Sequence, residues 1–467
     1  MEWNFDPPSR PIHGAHQAPV YMKRFGSLNP QPLVFTGLAS LLLVFLLVNA
    51  CSKSGTTITP GADVFILSLD PATGTGGTVV TINGGGFSNT TTDNKVKFNG
   101  VDVVVQTATT TKLTVVAPTT GQTGVVTVQN GTSVSVNGPT FTYAAANEPI
   151  VTTYAGTGVE GFVEGPLKTA QFNKPQNIAV DLQGNMYVTE YTGGRIRKIS
   201  ADGVVSTLAG SAATGYKDGK GAAALLFNPG KMVCDPQGNI YFTDAGSRIR
   251  KVTPAGDVTT IAGGANCGST DGPAASATFC GLGHIALAAN GDLYVCDSNN
   301  FRVRKISNGQ VTTVAGSKEG YANSTGTAAL FNGGLTGITI DSKGNLFVSE
   351  TYTVRKITPQ GAVSTFLGKN KGFGTPTEGT GAAAIVGDFF GLTIDPADNI
   401  YVADFQSRVW KITPAAVGTI ITGGNKGYKD GGRFAQFDQP SDIGRDSQGN
   451  LYVADIFNNV IRKITLR

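Results

Sequence analysis

Short runs of alternating apolar and polar residues, separated by glycine-rich turns, recur through the last two-thirds of the chain. The most regular run ends in an acidic residue and recurs six times, at a spacing of 51 to 54 residues. Its copies are GNMYVTE at Gly184–Glu190, GNIYFTD at Gly238–Asp244, GDLYVCD at Gly291–Asp297, GNLFVSE at Gly344–Glu350, DNIYVAD at Asp398–Asp404 and GNLYVAD at Gly449–Asp455. A period of this length, built from short strands, predicts a β-propeller or a similar array. Long stretches of helical periodicity are absent from the sequence, so the protein is predicted to be all-β.

Each repeat contains four candidate strands, which predict one four-stranded blade. In the first repeat they are Asn177–Asp181, Met186–Glu190, Arg195–Ile199 and Val205–Gly210. The last repeat ends at Arg467 after its third strand, and a segment of the fourth-strand type, Val151–Gly156, precedes the first repeat. We therefore predict a six-bladed β-propeller over residues 147–467, closed by strand 151–156. Closure of this kind pairs both terminal edge strands.

Residues 61–146 form a separate unit without the later period. Candidate strands at Val79–Ile82, Lys95–Phe98, Lys112–Val116 and Val125–Val128 predict a small β-sandwich. The most specific motifs are Asp70-Pro71, Gly76-Gly77, Val80–Gly84 with Gly86-Phe87, Val96–Gly100, Ala117-Pro118 and Phe141–Tyr143. On these motifs the unit resembles the IPT/TIG immunoglobulin-like family. The resemblance implies a spacer or an adhesive module.

The repeats themselves resemble the NHL-repeat family. The matching residues of the first repeat are Pro175, Ile178, Ala179, Asp181, Gly184-Asn185, Tyr187-Val188, Glu190, Arg195-Ile196 and Lys198. Two repeats depart from the pattern, with Ala288 for the first-strand Asp in the third and Ala397-Asp398-Asn399 in the fifth. Neither change alters the predicted fold. Propellers serve as lyases, lactonases and binding proteins, so this resemblance leaves the function open.

The N-terminal segment has the layout of a secretory signal. Lys23 and Arg24 precede an apolar, uncharged stretch, Pro32–Ala50. The residues Val48-Asn49-Ala50-Cys51 resemble a bacterial lipobox, which implies a lipidated Cys51 at the mature N-terminus. Residues 1–51 would then comprise an upstream extension and a signal peptide starting at Met22, with 52–60 as a linker. A single transmembrane anchor is the alternative, because about 20 apolar residues can span a bilayer.

Either arrangement places the body outside the cytoplasm. The lipoprotein interpretation implies anchoring to the outer membrane, on its periplasmic or cell-surface side. A net charge of +4 over 467 residues, with only 15% charged residues, excludes the clustered basic surface that nucleic acid requires.

The cysteines favour one disulfide. Cys267 and Cys280 flank a 12-residue loop in the third repeat and lack counterparts in the others, so we predict that they pair in an oxidising compartment. Cys234 and Cys296 lie inside predicted strands, where buried thiols are common. The sequence has no CxxC pair and thus no support for a structural zinc site.

Candidate catalytic groups are few. We interpret the acid at the end of each second strand as a turn cap and an ion-pair partner within its blade; a metal ring of six such acids is the alternative. After Cys51 the chain has one histidine, His284, which cannot form the His-rich metal sites of NHL-type lyases and is expected to be structural. No GxSxG, HExxH or P-loop motif occurs. We predict no catalytic residue, metal or cofactor, and polar groups that do not converge at the hub.

Loops after the fourth and second strands should share one face of the propeller. The first set repeats a Gly-aromatic motif, which is expected to pack between blades. The second set supplies irregularly placed aromatic residues, Tyr191, Phe301, Tyr352, Phe405 and Phe457. Aromatic faces beside hydrogen-bonding groups suit sugar rings. These five residues are therefore predicted to contact a ligand.

Two residues break the repeat pattern and are added to the predicted ligand site. Trp410 replaces an arginine found in the other five blades, and Arg445 replaces an apolar inner-strand residue. Arg445 is expected to reach the central funnel, with a local ion pair as the alternative. For Trp410 the alternative is filling space between blades.

Taken together, the sequence predicts a membrane-anchored extracytoplasmic binding lipoprotein. Its propeller face would recognise a polysaccharide or a protein partner, and the membrane would be contacted through the lipid. A propeller enzyme of lyase or lactonase type, using carboxylates and a divalent cation in the central funnel, is the alternative.

Overall fold

A computed structural model describes residues 64–119, 121–143, 148–190, 193–244, 246–370, 372 and 374–466. The predictions for Met22, Cys51 and the linker 52–60 lie outside these residues. Within the described part, strands and short 3-10 turns make up all regular structure, which confirms the all-β prediction. None of its helices has the length and apolar character that crossing a membrane requires.

The first unit is a two-sheet sandwich. Its strands are β1 (Phe65–Asp70), β2 (Thr73–Gly74), β3 (Val79–Gly85), β4 (Asn94–Phe98), β5 (Val101–Val103), β6 (Val105–Ala108), β7 (Lys112–Val116), β8 (Gly124–Asn130) and β9 (Val136–Tyr143), with a 3-10 turn at Thr91–Asp93. One sheet has the order β1-β3-β7-β6 and the other β2-β9-β8-β4-β5. Alternate residues such as Val80, Ile82 and Val96 point inward and form the core, as expected for half-buried strands.

Six blades follow the sandwich. Strand β10 (Ile150–Ala155) comes first; blade one contains β11 (Gly165–Pro166), β12 (Pro175–Val180), β13 (Met186–Glu190), β14 (Gly194–Ile199) and β15 (Val204–Ser211), and blade two contains β16 (Gly219–Lys220), β17 (Pro229–Cys234), β18 (Ile240–Asp244), β19 (Arg248–Val252) and β20 (Asp257–Gly263). Blade three contains β21 (Gly272–Pro273), β22 (Leu282–Leu287), β23 (Leu293–Asp297), β24 (Arg302–Ser307) and β25 (Gln310–Ala315), and blade four contains β26 (Gly337–Ile340), β27 (Leu346–Glu350), β28 (Thr353–Ile357) and β29 (Val363–Gly368). Blade five contains β30 (Gly379–Thr380), β31 (Phe389–Ile394), β32 (Ile400–Asp404), β33 (Arg408–Ile412) and β34 (Val417–Gly423); the short pair β35 (Asn425–Lys426) and β36 (Gln436–Phe437) follows, and blade six contains β37 (Pro440–Arg445), β38 (Leu451–Asp455) and β39 (Val460–Thr465). Short 3-10 turns occur at Gly221–Ala223, Ser298–Asn300, Gly326–Ala328, Gly381–Ala383 and Ile456–Asn458.

Each blade is an antiparallel sheet. Its innermost strand is the first full-length strand that follows the preceding blade along the chain. The six inner strands are β12, β17, β22, β26, β31 and β37, and each lies beside the inner strands of its two neighbours around a closed ring. Because all six run in the same direction, their first residues meet at one end of a central channel and their last residues at the other.

The ring is closed by strand β10. It pairs antiparallel with β39, so that the last blade has the order β10-β39-β38-β37. Val151 lies opposite Ile464 and also exchanges backbone hydrogen bonds with Gly431. The last blade is thereby built from both ends of the propeller.

The propeller core lies between blades. Each of six apolar clusters joins two neighbouring blades; for example, Phe172 and Val188 of the first blade pack with Ala454 and Ile461 of the last. The core therefore holds the blades at fixed angles to one another. This fixes the radius at which inner-strand side chains meet.

Cys267 and Cys280 form a disulfide with a Cα–Cα distance of 4.6 Å. The bond closes the loop that leads into β22. Cys234 and Cys296 are free, and Cys296 is buried.

Removing this disulfide is expected to destabilise the propeller. The two cysteines are 13 residues apart, and in the loop-entropy model a cross-link of that size contributes about 3 kcal/mol. The double variant Cys267→Ser/Cys280→Ser should lose roughly that amount of unfolding free energy, measured by urea denaturation. Dithiothreitol should destabilise the wild type and a Cys234→Ser control, yet leave the double variant unchanged. An unaltered wild type under reducing conditions would contradict the prediction.

Candidate functional site

Buried arginine–carboxylate pairs hold the loops on one face of the propeller. In five blades the acid at the end of the second strand pairs with an arginine of the third, as the sequence predicts; the pairs are Glu190–Arg197, Asp244–Arg250, Asp297–Arg304, Glu350–Arg355 and Asp455–Arg462. Each acid also accepts a hydrogen bond from a backbone N–H of the loop that leads into the inner strand. For example, Asp244 accepts the N–H of Phe227. Each arginine donates hydrogen bonds to backbone carbonyls of the loops; for example, Arg250 donates to Lys217 O. The loops that surround the channel entrance are thus fixed by buried charges.

Trp410 takes the arginine's place in the fifth blade. Its side chain is fully buried, donates Nε1–H to Asp404 Oδ2 at 3.1 Å, and packs edge-on against Phe389. A residue enclosed in this way has no surface for a ligand. The expectation that Trp410 contacts a ligand is therefore corrected. Trp410 fills space between blades and donates a hydrogen bond to the acid that pairs with an arginine in the other five blades.

One ring of six residues deviates from the apolar pattern of the inner strands. The ring consists of the residue four positions before the first-strand Asp, or before Ala288 in the third blade. In blades one to six this residue is Asn177, Lys231, His284, Gly337, Gly391 and Asp442. Four blades thus present a polar side chain at one level of the channel, and two present none. A Cβ on Gly391 would overlap the Asp442 carboxylate, so glycine is required there for Asp442 to occupy its position.

Lys231, His284 and Asp442 converge at this level, and we call them the hub cluster. Asp442 comes from the sixth blade, opposite His284 of the third. Its Oδ1 lies 3.5 Å from His284 Nε2 and 3.8 Å from Lys231 Nζ. Lys231 Nζ also donates to Ser441 O at 3.1 Å, and Asp442 Oδ2 accepts the backbone N–H of Ile178 at 3.0 Å. The side chains of Asp442, His284 and Lys231 are only 1%, 8% and 13% exposed.

Asp442 Oδ1 is a buried acceptor without a hydrogen-bond donor among the described residues. Burial alone raises the pKa of Asp442, but the attraction of Lys231 and the proximity of His284 outweigh it, so the pKa lies below the ordinary Asp value. Burial lowers the pKa of Lys231, and the charge of Asp442 offsets only part of that shift. The hub cluster therefore contains an ionised carboxylate that is enclosed by protein.

Above the hub cluster the channel widens into a cavity of about 490 Å³, which we call the funnel. Residues at or just before the starts of the inner strands form its walls, including Asn177, Lys231 and Thr336. Phe390 and Phe405 form an aromatic pair in the wall, with ring centroids 4.9 Å apart and planes tilted by 31°. The funnel lining thus combines one charged residue, Lys231, with hydroxyls, side-chain amides and an aromatic surface.

The opposite end of the channel is separate from the funnel. Beyond His284 lies a chamber of about 230 Å³ lined by the later residues of the inner strands, and Arg445 lines both this chamber and the wider mouth outside it. The prediction that Arg445 reaches the channel is consistent with this placement. Arg445 nevertheless lies at the end away from Phe405, so the two cannot contact the same small ligand.

The predicted aromatic residues are dispersed. Phe405 lines the funnel, whereas Phe301 packs against the core between the third and fourth blades. Phe457 is 48% exposed outside the funnel. Tyr352 is partly buried, and burial, followed by the charge of Asp388, raises its pKa. Tyr191 lies outside the described residues. Among the described members of this set, Phe405 alone belongs to the funnel lining.

The convergence of the hub cluster corrects the expectation of scattered polar groups. His284, which the sequence interprets as structural, is buried, with its Nδ1 3.0 Å from Ile285 O and its Nε2 facing the Asp442 carboxylate. The signal was present in the sequence: one inner-strand position carries Asn, Lys, His or Asp in four blades and glycine in the other two, directly before a residue that is apolar in every blade. Within the part of the chain that the structure describes, no three or more His, Cys, Asp or Glu side chains are grouped to hold a metal ion.

Family models match both units. Residues 65–143 match the IPT/TIG domain, and residues 279–306, within the third blade, match the NHL repeat. The chain thus contains an IPT/TIG domain followed by a six-bladed propeller with an NHL repeat. It is also 31% identical over 171 residues to the Arabidopsis thaliana protein SUPPRESSOR OF QUENCHING 1, chloroplastic; the match covers 34% of this chain and 16% of that protein.

Three solved structures from Bacteroides share the architecture. A protein of unknown function from Bacteroides thetaiotaomicron is 22% identical with a TM-score of 0.54, covering 88% of this chain and 100% of its own. An auxiliary nutrient binding protein from Bacteroides ovatus is 16% identical with a TM-score of 0.54 and the same coverage. Another auxiliary nutrient binding protein, from Bacteroides thetaiotaomicron, is 18% identical with a TM-score of 0.55, covering 87% and 99%. At these identities the likeness shows a shared fold.

Proposed function

We propose that this is an extracytoplasmic binding protein whose funnel holds a hydroxyl-rich ligand, with saccharides as the ligand class. The observation that carries the proposal is the lining of the funnel, where Lys231 and the Phe390–Phe405 pair border the same cavity. A ligand hydroxyl at this wall would accept a hydrogen bond from the Lys231 ammonium, whose charge is balanced by the buried Asp442 carboxylate 3.8 Å away. Such charge-assisted hydrogen bonds are about twice as strong as neutral ones.

The aromatic wall supports the same ligand class. A sugar ring has an apolar face of C–H groups, which packs on aromatic rings, and an edge of hydroxyls that need hydrogen-bond partners. The funnel offers both kinds of contact, with Phe390 and Phe405 on one side and Asn177 and Lys231 among its polar groups. The two fold relatives described as auxiliary nutrient binding proteins are consistent with a binding role.

The membrane attachment completes the proposal. Lipidation of Cys51 would tether the chain to the outer membrane, and the IPT/TIG domain would act as the spacer between the lipid and the propeller. Metabolic labelling with radioactive palmitate should mark the wild type and not Cys51→Ala. Labelling of both proteins, or of neither, would remove this part of the proposal without affecting the funnel.

Phe405→Ala is expected to weaken saccharide binding about tenfold, which corresponds to about 1.4 kcal/mol of lost stacking. Isothermal titration with methyl glycosides of common hexoses and with soluble polysaccharides measures the affinity. Phe65→Ala is the control, because Phe65 is a phenylalanine on the sandwich that is 48% exposed and does not line the funnel, and should leave the affinity unchanged. If the wild type binds no member of the panel, the saccharide class is wrong, and a protein partner becomes the next hypothesis to test.

A further inference from the structure

Lys231 differs from the other lysines whose ion pairs the structure describes. Its side chain is 13% exposed, whereas those of Lys426 and Lys97 are 72% and 45% exposed. Lys231 is one of the residues that line the funnel, and its Nζ donates to Ser441 O at 3.1 Å. The side chain is thus largely enclosed by protein, and it borders a cavity large enough for a small molecule.

The groups around this amine are arranged for proton transfer. Asp442 Oδ1 lies 3.8 Å from Nζ, and His284 Nε2 lies 3.5 Å from the same oxygen. Among the described residues, the titratable groups at this level of the channel are Asp442 on β37, which lies across the channel from Lys231, and His284 on the neighbouring β22, while β12 contributes the neutral Asn177. A carboxylate therefore lies beside the amine.

We propose that Lys231 is a reactive amine that condenses with the carbonyl group of an aldehyde or an open-chain reducing sugar in the funnel. Buried lysines act in this way when their surroundings disfavour the ammonium form, since only the neutral amine has a lone pair to donate. Enclosure of Lys231 lowers its pKa, which increases the neutral fraction near pH 7. This inference rests on the funnel assigned above and adds a covalent step to it.

The condensation balances within the cluster and the ligand. The Nζ lone pair forms a C–N bond to the carbonyl carbon, and the carbonyl π electrons move to oxygen, which takes a proton originally carried by nitrogen. The C–O bond of this carbinolamine then breaks, and the oxygen leaves as water with a second proton. The products are an imine and one water, and neither an oxidant nor a reductant is consumed. Asp442 and His284 are the groups placed to accept and return the protons.

The test is reductive trapping with D-glyceraldehyde and sodium cyanoborohydride, followed by peptide mapping. The reagent delivers hydride to the imine carbon, leaving an adduct equal in mass to glyceraldehyde less one oxygen atom. At pH 7 Lys231 should be modified faster than the exposed Lys426 and Lys97 in the same digest, by about tenfold for each unit of pKa difference. This preference should shrink towards pH 10, where the exposed lysines also become neutral.

Lys231→Arg serves as the matched variant, because arginine keeps the positive charge for Asp442 and cannot form the imine. It should lose the selective label while the exposed lysines react as before. Wild-type mapping tests the proposal even if this variant folds poorly. An unmodified Lys231 in folded wild-type protein, beside labelled Lys426, would overturn it.

The labelling of Lys231 and the binding of saccharides are tested independently of each other. Methyl glycosides lack a free carbonyl, so their binding tests the funnel alone. Binding of methyl glycosides with no label on Lys231 removes only the covalent step. A selective label without glycoside binding supports the amine and removes the saccharide class.

Discussion

Replacing Asp442 with alanine is expected to lower the free energy of unfolding by about 3–5 kcal/mol. The substitution leaves the Lys231 ammonium without its carboxylate in a largely buried site, and it removes the acceptor for the Ile178 N–H. Removing one partner of a buried ion pair costs more than the pair contributes, because the remaining charge stays desolvated. Urea denaturation of the purified protein gives the change.

Two variants calibrate that result. Asp442→Asn retains an oxygen acceptor for the Ile178 N–H and a similar volume, so its loss should be smaller than that of alanine. Glu160→Ala removes an exposed ion pair, with Lys174 Nζ 3.6 Å from Glu160 Oε2, and should cost only about 0–1 kcal/mol. A loss for Asp442→Ala no larger than for Glu160→Ala would mean that the hub cluster contributes no buried electrostatic stabilisation.

Both Asp442 variants should also weaken a ligand that accepts a hydrogen bond from Lys231, because Asp442 stabilises the Lys231 ammonium. A hydrogen bond to a charged group contributes about 1.5–3 kcal/mol, so its loss in either variant should reduce affinity by about tenfold or more. Affinity and stability are measured separately here, by titration and by denaturation. A variant that unfolds more easily yet binds normally would show that Asp442 is structural.

Val151→Asp is expected to open the propeller ring. Val151 lies on β10, is fully buried, and packs with Phe437 and Val453 of the last blade. A carboxylate at this position would be buried without a partner, which costs several kcal/mol. Loss of β10 would expose β39 as an unpaired edge strand, and exposed edges promote association between chains.

Urea denaturation and size-exclusion chromatography test both consequences. Val159→Asp is the matched control, because the same substitution falls at a valine that is 58% exposed and should change the stability by no more than about 0.5 kcal/mol. A fully stable, monomeric Val151→Asp protein would show that closure by β10 is unnecessary for the ring.

The sequence predicted the features that recur from blade to blade, namely the strands and the acid–arginine pairs. Because each blade buries the same apolar strands, the recurrence of short apolar runs such as that of Tyr187 and Val188 predicts strands. The acid and the arginine recur together because each buried charge needs the other, and this made pairs such as Glu190–Arg197 predictable. The two aberrant residues were harder to interpret. Trp410 proved to be buried, and Arg445 lies at the end of the channel away from Phe405.

Sequence alone determined the all-β class, the six blades, the IPT/TIG sandwich and the strand that completes the last blade, since these follow from local alternation and from a period visible in one dimension. The hub cluster was decided only by the tertiary structure. Lys231, His284 and Asp442 are 53 and 158 residues apart and share a position in the repeat. Whether side chains from opposite blades touch depends on the channel radius, which interblade packing sets, and on the space left by Gly391. Neither quantity is encoded in the pattern of any single blade.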